Sequence, residues 1–440
     1  MNDMSAPVST LNEGQQAAAD AFFRFLFNPD AKTFVISGGP GVGKTYLMSH
    51  LVRHTMKEYE DTCSMLGQRA KFTELAFTAT TNKAAEVLEE SLGMDVSTIH
   101  SYMGLKVQES WKTGETFIQK TNSWTKKYNK IIFIDECSMV DSVVYDIIGE
   151  TFEDSKIVFV GDHCQMAPVG EEISPVFKNV DPDNFVFLDK PVRNANFPAL
   201  VQLCSQLRET VETGEFKRIE EVSGVIDYVD DEGMQEVLEH YFTDLNPSAR
   251  CLCYTNFRVE SYNGYIRSDI RKQPIEYQVG DVLVVATNLA SASAVLSVER
   301  EVRIEELSSV KEDHEYDDFI PKPILYREAT LRLLGGTCNL VKVRLPVDKD
   351  QVQNLIRGLA KAKSWQEYFE VKNTYADLRD KAACTVYKAQ GSTYEAVVID
   401  IGNIGTSFDK NQVARMLLVA ASRATTRIFL YGRLPPAYRG

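Results

Sequence analysis

A run of roughly eighteen apolar residues, the length a membrane-crossing helix needs, occurs nowhere in this 440-residue chain. No membrane association is therefore expected. The first ten residues, MNDMSAPVST, have neither the basic start nor the apolar stretch of a secretory signal, so export is not expected either. Eight cysteines are present, but none stand at metal-ligand spacing, which argues against a zinc module. Cys251 and Cys253 alternate around Leu252 and read as strand residues. Free thiols in a chain this long fit a reducing cytoplasm, that of a bacterium or a phage-infected bacterial host. Internal repeats, low-complexity segments and a nuclease-like cluster are also missing.

An excess of positive charge is lacking too. The formal net charge is -14, which on its face argues against a nucleic-acid partner. That exclusion is weak, because binding needs a local basic groove and not a basic total. The acidic clusters Glu220-Glu221, Asp230-Asp231-Glu232 and Glu312 to Asp318 read as solvated loops or helix faces. Hydrophobic content of 44% and charged content of 25% are ordinary for a globular chain with a large core. The length suggests about three domains.

What is present begins with KTFVISGGPGVGKTYLMSH. Phe34 to Ile36 form a short apolar run suited to a buried parallel strand. Gly38, Gly43, Lys44 and Thr45 fit G-x-x-x-x-G-K-[ST], and a helix is expected from Thr45. The loop Gly38, Gly39, Gly41 and Gly43 lets backbone N–H groups close around phosphate oxygens; Tyr46 follows on the helix. Lys44 reaches the terminal phosphates and Thr45 ligates magnesium. KIIFIDECSMV supplies the partner carboxylates: Asp135 to hold Mg2+ through water, and Glu136 to take a proton from attacking water. SKIVFVGDHCQMAPVG ends a third strand in Gly-Asp, and Gln165 follows where a side chain senses the terminal phosphate or orients water. Strand, loop and helix in this order predict an α/β fold with a doubly wound parallel sheet.

The ordered series GGPGVGKT, TATTNKAAEVL, STIHS, DECSM, GDHCQMAPVG, VRNAN, TVYKAQGST and LLVAASRAT resembles the superfamily 1B helicases of the RecD-like group, and within it the Dda-type phage branch. The resemblance runs from LNEGQ to ASRATTRIFLYG. It implies two RecA-like parallel-sheet motor domains, with a first core over residues 1–101 and 127–184 and a second over 185–272 and 381–440. It also implies a pin-bearing β-hairpin insert over 102–126 and an SH3-like β-barrel with a helical arm over 273–380. Gln15 takes the place of an adenine-reading glutamine. Arg193 and Arg423 take the places of two arginines that reach the γ-phosphate from the second core. Lys44, Glu136, Gln165, Arg193 and Arg423 form the implied catalytic set.

Nucleic-acid contacts implied by the same resemblance fall on Thr80, Thr81, Asn82, Thr98, His100, Asn256, Thr385, Lys388 and Ser392. Their hydroxyls, amides and single lysine suit phosphate and sugar contacts that do not read sequence. Two positions depart from the family pattern: Thr80 stands where proline is usual, and Tyr387 where histidine is usual. Before either core is complete, ESWKTGETFIQK reads as a small hairpin over Glu109 to Lys120, with Lys-Thr-Gly-Glu as its turn and Trp111 and Phe117 at its tip. Phe117 matches an aromatic that stacks on bases at a junction. In the second insert the helical stretch from Asp348 carries Leu355, Leu359, Trp365 and Phe369, placed either to brace the pin or to pack on the barrel.

The activity implied is ATP- and Mg2+-dependent movement, 5′ to 3′, on single-stranded DNA with unwinding of forked duplex by a functional monomer. Single-strand-binding or replication proteins are candidate partners. An RNA helicase of the same superfamily, and a nucleotide-switched strand binder that does not unwind, stay open from the residues alone.

Overall fold

The computed structural model describes residues 11–192, 196–245, 247–290, 295–296, 298–334 and 340–439. A first parallel sheet contains β1 (Thr33–Gly38), β2 (Glu74–Ala79), β3 (Val96–Thr98), β4 (Lys130–Asp135), β5 (Lys156–Gly161) and β6 (Phe185–Leu188), in spatial order β6-β1-β5-β4-β2-β3. Both of its faces are covered, which is why its strands read as unbroken apolar runs and not as alternating ones. Phe34, Ile36, Ile131, Phe133, Val158 and Val160 point to one side, where the helix Glu13–Phe27 supplies Phe22 and Phe25. Val35, Ile132, Ile134, Ile157 and Phe159 point to the other, against Ile99, Met103, Val144 and Ile148.

A second parallel sheet contains β7 (Ile226–Val229), β8 (Ala249–Cys253), β9 (Ala383–Thr385), β10 (Tyr394–Asp400) and β11 (Ala424–Tyr431), in order β7-β11-β10-β8-β9. It is built on the same plan. Leu252, Val397, Ile399, Ile428 and Leu430 face the helices Pro198–Thr213 and Lys410–Ala421. Cys251, Cys253, Val398 and Phe429 face the opposite layer. The two thiols are strand residues as expected, buried on one face.

From sequence, the second core starts at Phe185. The structure corrects this: β6 hydrogen-bonds in parallel register to β1, pairing Phe185 with Val35 and Leu188 with Gly38. An apolar tetrapeptide carries no signal of which sheet it joins, and the first sheet had a free edge beside β1. The crossing to the second sheet therefore comes later, ahead of the helix that opens at Pro198.

Two insertions leave these sheets. In the first, Leu105–Glu109 pairs with Thr116–Lys120, Gln108 opposite Phe117. The hairpin is longer than the expected span, since its first strand begins at Leu105 and Glu109 ends it. Trp111 lies in the turn and is 59% exposed, while Phe117 is set back in the second arm and is 45% exposed. Leu105 and Ile118 pack on the first core, which leaves Phe117 on the other face of the ribbon.

The second insertion is an antiparallel sheet ordered Lys311–Asp313, Ile324–Leu333, Glu301–Leu307, Val282–Val285 and Leu378–Arg379, with Leu340–Pro346 also paired to Ile324–Leu333. Two helices follow it, Lys349–Ala362 and Trp365–Thr374. Leu355 and Leu359 are buried against Tyr316, Ile324 and Tyr326, so these two pack on the sheet. Trp365 does not. Its ring lies flat on Gly114 at the hairpin turn, where an added Cβ would come within 2.6 Å of three ring atoms. Lys372 Nζ also reaches Glu109 Oε1 at 3.4 Å. The two insertions touch at their tips, through residues more than two hundred positions apart in sequence.

One guanidinium secures the base of the second insertion. Arg267 is 4% exposed. It donates to Pro274 O at 2.6 Å and Asp281 Oδ2 at 2.5 Å on the outgoing chain, and to Asp380 Oδ2 at 3.4 Å on the returning one. Removing one member of a buried ionic network strands the others, at a cost of about 3–5 kcal/mol. Arg267→Ala should accordingly lower the first thermal transition by several degrees in calorimetry; an unchanged transition would show that the insertion is held by other contacts.

Candidate nucleotide site and nucleic-acid surface

Three neighbouring strands bring together the residues expected to handle phosphate. Because β1, β5 and β4 are adjacent and parallel, Gly38, Gly161 and Asp135 end at one edge of the sheet. There the P-loop leaves β1. Gly41 and Gly43 adopt φ of 78° and 84°, which L side chains resist. A Cβ on Gly38 would meet Leu188 O at 2.8 Å. Lys44 Nζ donates to Gly38 O at 2.7 Å and Gly39 O at 3.1 Å. Thr45 is half-buried and Tyr46 exposed beside it.

Gln15 is buried against this loop. Its Nε2 donates to Val42 O at 3.2 Å, and its Oε1 accepts from Asn12 N in a reciprocal helix cap. The glutamine is thus held at the loop by both ends of its amide.

Burial, then the charge of Glu136, raises the Asp135 carboxyl to about 7, with Lys44 opposing. A cation bound there would restore the carboxylate. Glu136 itself sits at φ 52°, ψ 40°, a left-handed conformation that costs a non-glycine residue of order 1–2 kcal/mol. Glu136 Oε2 accepts from Gln390 Nε2 at 3.4 Å, and the same nitrogen donates to Ser138 Oγ at 3.3 Å. Gln390 comes from TVYKAQGST on the second core.

Asp162 ends the third motif and is fully buried. Burial alone would raise its pKa, but Arg208, with help from Lys44 and Cys164 N–H, outweighs it and holds the group below the usual carboxylate range. Arg208 Nη2 lies 2.6 Å from Asp162 Oδ2, and Gln165 Nε2 donates to the same oxygen at 3.4 Å. Gln165 Oε1 is buried without a hydrogen-bond partner. The neighbouring His163 places Nδ1 at 2.9 Å from Ser37 Oγ.

Asp162, His163 and Cys164 offer ligand atoms within 4.8 Å of one another. They do not suit a metal. The carboxylate is neutralised by Arg208, and burial pushes the Cys164 thiol up to about 12.

The fit to Mg2+ and a nucleoside triphosphate rests elsewhere. A hydroxyl (Thr45) and a carboxylate (Asp135) are oxygen donors for a hard cation. The glycine loop leaves room for backbone amides to face phosphates, and Gln165 Oε1 has an acceptor to spare.

Residues from the second core reach this edge repeatedly. Arg415, 7% exposed on the helix Lys410–Ala421, donates to His163 O at 2.6 Å, to Gln165 O, and to Glu172 O at 3.1 Å. Arg208, Gln390 and Arg415 do not stand out in the sequence. Arg208 and Arg415 are polar residues within helices, and only Gln390 lies inside one of the quoted motifs. Of the two arginines that the motifs do single out, Arg193 lies outside the described residues; its neighbour Val192 donates its N–H to Gly41 O at 2.8 Å. Arg423 is buried and donates to Val419 O, Ser392 O and Ser422 Oγ, all on its own core.

The expected nucleic-acid residues divide. Thr81 and Thr98 are helix N-caps, accepting from Ala84 N at 3.1 Å and Ser101 N at 3.2 Å. Thr80 Oγ1 donates to Glu136 O at 3.2 Å and links this row to the end of β4. Asn82 and Asn256 are exposed, and Asn256 Oδ1 accepts from Arg379 Nη1 at 2.9 Å. Lys388 donates to Ala286 O at 3.1 Å and pairs with Glu299 at 3.1 Å, while Thr385 is buried beneath it. Ser392 is half-buried and accepts through its carbonyl from Arg423. His100 is largely buried, and that burial lowers its pKa against the pull of Asp141. Tyr387 OH accepts from Gln412 Nε2 at 2.5 Å, so the tyrosine joins its motif to the helix Lys410–Ala421.

Residues 27–171 match the family model described as an AAA domain, and residues 381–431 match the UvrD-like helicase C-terminal domain. Over 95% of its length the chain is 22% identical to the ATP-dependent DNA helicase dda of Enterobacteria phage T4, covering 98% of that protein. It is also 22% identical to an uncharacterised protein of Acanthamoeba polyphaga mimivirus, over 95% of this chain and 99% of that one. In three dimensions it resembles the Pif1 helicase from Bacteroides solved with ADP-AlF3 and ssDNA, with a TM-score of 0.51 and 14% identity over 98% of this chain and 94% of that one.

If Arg415 holds the loop that carries Gln165, replacing it takes the donor from three carbonyls, and the buried one, Gln165 O, is left unsatisfied at a cost of about 1–3 kcal/mol. Arg415→Met should lower catalytic turnover of ATP about tenfold or more while the ATP concentration at half-rate changes little; equal turnover would show that the loop is ordered without it.

Proposed function

We propose, for a chain that belongs to the superfamily 1B helicases and is related to dda, that ATP hydrolysis in the cleft between its two parallel sheets drives strand separation at the hairpin insert. The chain is an ATP-hydrolysing DNA helicase. The observation that carries the coupling is the set of side chains from the second core, Gln390 and Arg415 above all, that grip the loops bearing Glu136 and Gln165.

In this reading the P-loop amides and Lys44 hold the triphosphate, with Gln15 set against the loop on the base side. Thr45 and Asp135 would hold Mg2+, which would supply charge neutralisation for the phosphates. Glu136 accepts the proton of the attacking water, and Gln165 Oε1 orients that water. Arg423 and Arg193 would offset the charge on the γ-phosphate as the cleft closes. Closing and opening of the two RecA-like cores would then move the strand.

The strand itself is assigned to the loops at the strand ends of both cores. The helix starts at Asn82 and Asn256, capped by Thr81 and Thr255, turn backbone N–H groups outward for phosphates. The exposed amides of Asn82 and Asn256, with Thr80, Thr98, His100, Thr385, Lys388 and Ser392 as the supporting frame, complete the row. Phe117 is proposed as the wedge, stacking on the last base pair of the fork, and the SH3-like insert with its arm braces it through Trp365 on Gly114. The 5′-to-3′ direction, action as a monomer, a cytoplasmic setting and contacts with single-strand-binding or replication proteins belong to the same proposal.

Forked duplexes with a single 5′ or a single 3′ tail test it. Unwinding is expected from the 5′ tail only and in neither case for Lys44→Ala. Unwinding from the 3′ tail would overturn the direction, and none from either would overturn strand separation.

The wedge has its own test. Base–aromatic stacking is worth roughly 1–3 kcal/mol, so Phe117→Ala should slow unwinding about tenfold or more, and Trp365→Ala should do so to a smaller degree. DNA-stimulated ATPase should stay within about twofold in both, since neither side chain touches the nucleotide loops. Equal losses of unwinding and ATPase would point to misfolding, and no loss of unwinding would remove the wedge.

A further inference from the structure

We propose that Arg208, on the first long helix of the second core, is a γ-phosphate ligand that acts across the cleft while remaining paired to Asp162. The proposal rests on the nucleotide reading above and adds a residue to it.

Three observations carry it. The first is place. Arg208 Nη2 lies against the P-loop, since a Cβ built on Gly39 would sit 3.0 Å from it. The guanidinium is steadied by the Phe187 ring, 5.6 Å from its centre, at the end of β6. Lys44 is close enough to share in holding Asp162 ionised. The second is an unmet donor. Nη2 is spent on Asp162 Oδ2, but Nη1 is buried with no hydrogen-bond partner. Buried guanidinium N–H groups are normally satisfied, so such a donor calls for an acceptor. Orphaned guanidine nitrogens also occur on Arg250, Arg271 and Arg379 among the described residues, but the partners of those side chains lie in the second core or the second insertion, away from the P-loop.

The third observation is complementarity. Gln165 shares Asp162 Oδ2 with Arg208, and its Oε1 is a buried acceptor without a donor. Around one carboxylate the structure therefore presents one idle donor and one idle acceptor. A phosphate oxygen accepts from the first, and a water proton donates to the second. A terminal phosphate with its attacking water supplies both. Asp162 then fixes the guanidinium plane through Nη2, so that Nη1 is held in place before nucleotide arrives. A planar fork does this and an ammonium cannot, because lysine has one nitrogen to divide between two anions.

The alternative is that Arg208 only neutralises Asp162. Arg208→Lys separates the two, since it keeps a cation beside the carboxylate. The full-length chain is assayed for single-strand-stimulated ATPase, for ADP binding, and for capture of ADP–aluminium fluoride, the transition-state mimic, in the presence of a thymidine oligonucleotide. Both Arg208→Lys and Arg208→Gln should bind ADP within about threefold of wild type. Loss of one preorganised donor should cut turnover about 100-fold, and capture of ADP–aluminium fluoride should be lost.

If Arg208→Gln does not fold, Arg208→Lys alone decides. Wild-type turnover in Arg208→Lys, or wild-type capture of ADP–aluminium fluoride by either variant, would overturn the proposal and leave the nucleotide reading standing. A wild-type chain that does not hydrolyse ATP would overturn both.

Discussion

An ionised carboxylate sealed from water must be surrounded by donors. Asp162 is such a group, and the cleft is arranged around it. Arg208 comes to it from the second core, Gln165 from its own loop and the Cys164 N–H from the chain just after it. Because Arg208 belongs to a helix packed beneath the second sheet, satisfying Asp162 fixes where that sheet lies relative to the P-loop. A structure in which this pair did not form would leave a buried charge without compensation, so the two cores and the phosphate site are specified together.

Other cross-cleft bonds extend the same logic from one charge to two loops. Gln390 reaches the strained Glu136, and Arg415 binds the carbonyls around Gln165. A side chain held through hydrogen bonds from the opposite core moves when that core moves. The proposed proton acceptor and the proposed water-orienting residue would then be in register only when the cores are docked. Strain at Glu136 fits this arrangement, since a left-handed residue at a strand end persists only where its neighbours hold it. Thr80, donating to the Glu136 carbonyl, is one of those neighbours. It ties the proposed strand-binding row to the end of β4 through a single hydrogen bond.

Away from the nucleotide, the contact of Trp365 with Gly114 joins the two insertions. An indole on a glycine is a shape-specific contact, because any side chain at Gly114 would displace the ring. The hairpin is thereby supported at both ends: Leu105 and Ile118 on the first core, and the turn on the arm. Phe117 stays uncovered on the remaining face. The Arg267 network fastens the base of the arm to the second core. Motion of that core would therefore be transmitted to the hairpin turn through packed side chains and not through a loose linker.

Much of this was legible in the chain itself. The glycine spacing before Lys44 and the apolar runs ending in Asp135 and Asp162 are local patterns. Backbone sterics and burial on both faces of a parallel sheet oblige them, so they identify the P-loop, the strands and the order of the phosphate-handling residues. The alternation of Cys251 and Cys253 is of the same kind. What a sequence lacks is distance between segments. Phe185 to Leu188 read as a strand, yet only the pairing with β1 decides its sheet. Thr81 and Thr98 read as strand-binding hydroxyls, and only the folded chain shows that they also cap helices. Arg208 and Arg415 sit in helices with no motif of their own, and Trp365 is one aromatic among several. Their significance comes from Asp162, the Gln165 loop and Gly114, segments 46, 250 and 251 residues away. Those meetings exist only once two sheets have packed and buried the groups that need partners.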